Sequence, residues 1–307
     1  METETRPTTT GSIPTAADSA RDAAESGQAA AESARVTGRT PGLRAELGAV
    51  IGFVERNWYL TKRYFGWELV FLVYNMVNTL TIALIATHVP GDRGRMVLYL
   101  VIGAILWGYL SVIFHDVSES VAWERWEGTI EYTFMAPIRR ATHLFGMCAY
   151  AIVYGTVRSV IVLGAVALFF RLDLAGANLL GALAVLVVSS VAFIGLGLMA
   201  AVFPLLSTEK GAQATHIMEA VILLVSGAYY SVTELPRWLQ PLSAVSPATY
   251  ALRSIRAALL DGADFAQLLP DIALLAGIGV VLVPLGLWVF GQGERYAMRT
   301  GKLKRSG

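Results

Sequence analysis

Long charge-free runs, separated by short charged segments, constrain this chain more than any other feature. Apolar runs of about 18 residues or more are what membrane-crossing helices need. Only 15% of the 307 residues are charged and 55% are hydrophobic, where a soluble domain carries about 25% charge. The pattern predicts an all-α integral membrane protein with six transmembrane helices, at 67–87, 96–114, 144–170, 178–203, 212–230 and 272–291. Each is near or above the roughly 20 residues that cross about 30 Å of hydrocarbon. The fifth has to accommodate His216 and Glu219.

The flanking segments differ in kind. Residues 1–40 are rich in Ala, Thr, Ser, Gly and Glu and hold no aromatic residue. Such a stretch buries too little surface to offset its ordering entropy, which predicts a disordered tail. It has no apolar core of the secretory-signal type. In 43–64, Leu43, Leu47, Val50, Ile51, Val54 and Trp58 recur at helical spacing, with Arg44, Glu55, Arg56, Lys62 and Arg63 largely elsewhere on the wheel. This predicts an amphipathic helix lying in the membrane interface. The transmembrane domain is expected over 41–294, followed by a basic tail at 295–307.

Orientation follows from the placement of Lys and Arg. With the N-terminus inside, the inner segments hold 17 of these residues and the outer ones 6. Leaving out the four of the disordered tail still gives 13 to 6. Both termini are therefore expected in the cytoplasm of a plasma-membrane protein. Residues 231–271 are too polar to span and too apolar for a free loop. Pro247 can open a helix there, with Ala251, Ile255, Ala258 and Leu259 on one face. One or two short re-entrant extracellular helices are expected before the last span.

Several chemistries have no signature here. There is no phosphate loop of the GxxxxGK[ST] type, no HExxH, no GxSxG and no Cys/His metal pattern. Cys148 is the only cysteine, so an intrachain disulfide is impossible and a packing role is expected. His88, His115, His143 and His216 all lie near span ends and read as interfacial anchors. No catalytic residue, no metal and no cofactor is expected on this chain.

The segment 119–140, ESVAWERWEGTIEYTFMAPIRR, is a polar island between the second and third spans. As a helix it puts Glu124, Glu127 and Glu131 on one edge, and Trp126, Ile130 and Phe134 on another. Pro137 ends it, and Arg139 and Arg140 stand at the headgroups. Such an element can seat in the groove of a cytoplasmic partner, or it can lie on its own membrane with its acids in water.

The run ERWEGTIEYTFMAPI at 124–138 resembles the cytoplasmic signature of ABC type-2 transporter permeases. Glu124, Arg125, Gly128, Thr129, Glu131 and Pro137 match it, while Trp126 and Glu127 are displaced from the commonest spacing by one residue. A second stretch, 226–250, resembles the family's segment before its last span, through Ser226, Gly227, Leu235, Pro236, Trp238, Pro247 and Tyr250. Arg253 or Arg256 supplies the arginine of that pattern. The resemblance covers about 43–292. It implies that six spans form half of a transmembrane unit and that a second permease half, identical or related, pairs with it. It also implies that a separate ABC ATPase, carrying ATP and Mg, docks on Glu124, Arg125, Glu127, Gly128, Thr129, Glu131 and Pro137. The implied activity is export of a drug, antibiotic, lipid or other amphipathic compound, with multidrug efflux among the possibilities.

Polar groups inside the spans remain open to several readings. Arg158 sits near the middle of the third span, where an unpaired charge costs about 2.5 to 3.5 kcal/mol. Glu219 lies in the fifth. They can pair with each other, each can find partners within its own bundle, or either can bind substrate or a proton. Asn75 and Asn78 on the first span suit interhelical hydrogen bonds or a substrate path. Gly103, Gly108, Gly155, Gly164, Gly195 and Gly197 permit close helix approach. Trp107, Tyr109 and Phe193 hint at an apolar path. A proton-coupled secondary transporter using Glu219 and Arg158 is the rival function, and a membrane assembly factor without transport is a third.

Overall fold

The computed structural model describes residues 43–88, 92–127, 140–172, 174–207 and 210–300, and these are helical with no strand among them. In lipid a helix satisfies its backbone polar groups internally, which is why a chain of this composition resolves into rods. The rods are α1 (Leu43–Arg63), α2 (Phe65–Ala86), α3 (Arg93–Glu127), α4 (Arg140–Phe170), α5 (Leu179–Ala200), α6 (Val202–Leu206), α7 (Gly211–Ser226), α8 (Gln240–Val245), α9 (Pro247–Leu260) and α10 (Phe265–Arg299). A 3₁₀ turn at Val232–Glu234 precedes α8.

Five stretches are long and apolar enough to cross a membrane: Phe65–Ala86, Arg93–Ser118, Thr142–Phe170, Leu179–Leu206 and Phe265–Arg299. They correspond to five of the six expected spans. The remaining one, expected over 212–230, is the 16-residue α7, about 24 Å long at 1.5 Å per residue. It stops at Ser226 because Gly227 takes φ +73, the left-handed turn that ends helices. A second difference concerns the polar island. Instead of breaking after the second span, α3 runs 35 residues without interruption as far as Glu127, about 52 Å. The last span is also longer than expected. It begins at Phe265 and continues through Pro270 and Pro284 to Arg299, so the basic tail is helical over its first residues. The N-terminal tail 1–40 and residues 301–307 lie outside the described residues.

The helix expected in the interface is α1. Part of its expected apolar stripe faces outward, with Leu47, Ile51 and Trp58 exposed and Val50 and Val54 half-buried. A different edge packs on α4: the Phe53 ring meets His143 edge-on at 4.7 Å, and Asn57 Nδ2 donates to Met147 Sδ at 3.0 Å. The exposed stripe is what an interfacial helix would present to lipid.

The main core joins α3, α4, α5, α9 and α10 around Tyr109, Phe114, Phe193, Leu198 and Leu275. Tyr109 and Phe193 meet edge-on at 6.5 Å, both fully buried, so these two rings fill the core. The closest helix pair is α5 with α10. Along α10, Gly279, Gly286 and Gly293 recur every seven residues and each abuts α5 or α6, the spacing of a packed seam. A Cβ on Gly286 would lie 2.5 Å from the carbonyl oxygen of Gly195, one of the glycines expected to permit close approach. Gly164, expected to do the same, faces open space. Asn178 caps α5, accepting from Gly181 N at 2.8 Å while its Nδ2 donates to the Ala263 carbonyl at 2.8 Å. That cap ties α5 to the corner between α9 and α10.

Candidate functional site

Three groups of polar residues stand out along the bundle, the second and third built by helices that the sequence brings together over long separations. The first is the continuation of α3 beyond its apolar part. Residues 119–127 extend the apolar part of the helix, Arg93–Ser118, by about 13 Å. Glu124, Arg125 and Glu127 occupy its last turn. Gly128, Thr129, Glu131 and Pro137 lie outside the described residues. Because the helix is continuous, a displacement of this end is carried along the same rod into the bundle.

The second set joins α2 to α4. Arg158 Nη2 donates to the Phe71 carbonyl at 2.8 Å, and Nη1 to the Tyr154 hydroxyl at 3.2 Å. Tyr154 in turn donates to Glu68 Oε2. The guanidinium is thus held by Glu68 through a tyrosine, which moderates the cost of a charge at membrane depth. Asn75, Gly108, Tyr109, Gly155, Arg158 and Ser159 line a narrow crevice of about 10 Å³ between α2, α3 and α4. Asn78 does not join it and is exposed on the outer side of α2.

The third set joins α3 to α7. Glu219 is buried, and Ser111 donates to its Oε1. His216 Nδ1 stands 3.5 Å from Glu219 Oε2, and the His115 and His216 rings are 4.8 Å apart. Arg158 and Glu219 therefore do not pair; each finds partners among its own neighbours. His115 and His216, expected as interfacial anchors, face each other across α3 and α7. The usable signal was the His216-x-x-Glu219 spacing, which puts both side chains on one helix face. The link to His115 spans about a hundred residues and has no local signature.

At the end of the bundle where α3 begins, α9 packs the face expected for it, with Ala251, Ile255, Ala258 and Leu259 buried and Pro247 at its first turn. Of the two arginines open to the second pattern, Arg256 is the one that meets the Ser226–Gly227 turn. It donates to the carbonyls of Gly227 at 3.0 Å and Ala228 at 2.6 Å, and lies 3.5 Å from the centre of the Tyr99 ring. Burial draws its guanidinium below the ordinary value, and Tyr99 opposes that. Arg253 instead pairs with Asp271, which also accepts from Ser254 at 2.7 Å. Arg95 and Asp261 close the rim at 2.6 Å. Between these groups lies an open vestibule of about 680 Å³ lined by Tyr99, Tyr230, Gln240, Tyr250, Arg253 and Arg256 among others.

The sequence model of the ABC-2 type transporter family matches residues 54–260. No curated protein matches the chain. The match covers about two thirds of the chain, and the chain belongs to the ABC-2 type transporter family. It is a multi-pass membrane permease domain, which does not itself hydrolyse ATP; the family works with an ABC ATPase.

Proposed function

We propose that this ABC-2 permease is the membrane subunit of an ATP-driven exporter, moving a drug, antibiotic, lipid or other amphipathic compound. In this reading α7, with residues 227–230 completing its reach, is a sixth crossing. Both termini then lie in the cytoplasm, and α8 and α9 form a cap that enters the outer leaflet. Two permease halves, identical or related, pair to form the path, and a separate ATPase drives them.

The observation that carries the proposal is the continuity of α3. The acidic edge at Glu124 and Glu127, continued by Gly128, Thr129, Glu131 and Pro137, is joined by one unbroken helix to the tightly packed centre of the bundle. Closure of an ATPase seated on this segment would push a rod, not a loop. The second motif supports the same assignment, since its Ser226–Gly227 turn and Arg256 form one contact at the outer face. Family membership is what favours an ATP-driven mechanism over a proton-coupled one, and the separation of Arg158 from Glu219 removes the direct relay that the latter would have used.

The test is charge reversal. Glu124→Lys with Glu131→Lys is expected to leave membrane insertion intact and to abolish stimulation of the ATPase by the permease, because each reversed contact replaces attraction with like-charge repulsion. Full stimulation and transport by that double variant would overturn the proposal.

A further inference from the structure

We propose that His115, His216 and Glu219 form a binding site for a divalent transition metal of the zinc class, clamping α3 to α7. Each offers one ligand atom, and these atoms all lie within 4.8 Å of one another. Two imidazoles and a carboxylate are a donor set that suits zinc.

The geometry of the pair on α7 supports the assignment. His216 Nδ1 and Glu219 Oε2 are 3.5 Å apart. That is long for a hydrogen bond and close to the roughly 3.3 Å that separates two donors on a tetrahedral zinc with bonds of about 2.0–2.1 Å. His115 Nδ1 stands 2.7 Å from the Ser111 carbonyl, which can only accept, so in the neutral ring this contact places the proton on Nδ1 and leaves Nε2 as the ligand atom. Ser111 also donates its hydroxyl to Glu219 Oε1. One residue therefore orients two of the three ligands, the kind of outer-shell support that metal sites use.

Space and charge agree with this. A small cavity of about 20 Å³, room for a single ion or water, is lined by His115 and His216 together with Ser118, Thr215 and Pro204. Glu219 is 4% exposed within an apolar helix, where a carboxylate favours a counter-charge. His216 is more than half exposed, so it can swing the remaining ångström or so and leaves an entry path. Among the described residues three protein ligands are present, which leaves a fourth position for water, as in open zinc sites.

The experiment uses the full chain, purified in detergent with its affinity tag removed, and titrates Zn²⁺ alone. One equivalent is expected to bind. His216→Ala and Glu219→Gln are each expected to weaken binding at least tenfold, and Co²⁺ in place of zinc should show the intense visible absorption of a tetrahedral N/O site. His216 is exposed and Glu219→Gln keeps its shape, so both variants should retain the elution profile of the parent chain. His88→Ala is expected to change nothing. Absence of zinc binding by the parent chain, equal affinity in His216→Ala and Glu219→Gln, or an equal loss in His88→Ala would each overturn the assignment. Because metal binding is read directly, failure here leaves the transport proposal standing.

Discussion

Gly286→Ala probes the seam that holds the last span in place. The added Cβ would stand 2.5 Å from Gly195 O, 2.9 Å from Leu198 Cβ and 3.4 Å from Gly195 C, where ordinary contact begins at 3.4 Å. The nearest atom is a backbone oxygen, so no rotamer can relieve the clash and α10 has to move out by about 0.9 Å. Overpacking of this kind costs up to about 3 kcal/mol. Alanine returns about 1 kcal/mol through its better helix propensity, which leaves a net loss of about 2 kcal/mol. For a domain of this size 1 kcal/mol shifts the midpoint by about 2–4 °C, so thermal unfolding followed by tryptophan fluorescence in detergent should fall by about 4–8 °C. Gly164→Ala is the control, since nothing lies within 4 Å of its Cβ position, and it should match or exceed the parent. A Gly286→Ala protein as stable as Gly164→Ala would show that α5 and α10 are not packed backbone to backbone.

Two further outcomes follow from the polar contacts. Arg256→Ala removes donors to the Gly227 and Ala228 carbonyls and the contact with Tyr99; at about 1.5–3 kcal/mol for a hydrogen bond to a charged group, the melting midpoint should drop by several degrees more than in Arg253→Ala, whose guanidinium is largely exposed. Arg158→Ala and Tyr154→Phe act on one ladder, so their combined destabilisation, read by the same melts, should fall short of the sum by about 0.5–3 kcal/mol.

The readable parts of the chain were those encoded locally. Uninterrupted apolar runs placed the five long helices, Pro247 marked the start of α9, and the spacing of Ala251, Ile255, Ala258 and Leu259 identified its buried face. Gly227 shows how one residue limits such reading: hydropathy continues to Tyr230, yet the left-handed turn ends α7 at Ser226. The continuity of α3 was hidden for the converse reason. Charge marks the end of an apolar run, but glutamate and arginine are good helix formers, and the rod continues through Glu119, Glu124 and Arg125. What could not be read at all depends on partners about ninety to a hundred residues away. Arg158 meets Phe71, Tyr154 joins it to Glu68, and Glu219 meets Ser111. Asn75 and Asn78 look alike in sequence, and only their angular position on α2 separates a crevice residue from an exposed one.

The most direct measurement relies on the burial of the chain's single native thiol. Cys148 is 1% exposed, so a cysteine introduced at Glu124 or Glu131 is the one accessible site for a photoactivatable crosslinker in the assembled membrane complex. The expected result is a covalent adduct between this permease and its ATPase, formed at both positions and lost when the ATPase is stripped from the membrane. Adducts to lipid alone, in a complex that still moves its cargo, would contradict a coupling role for the end of α3.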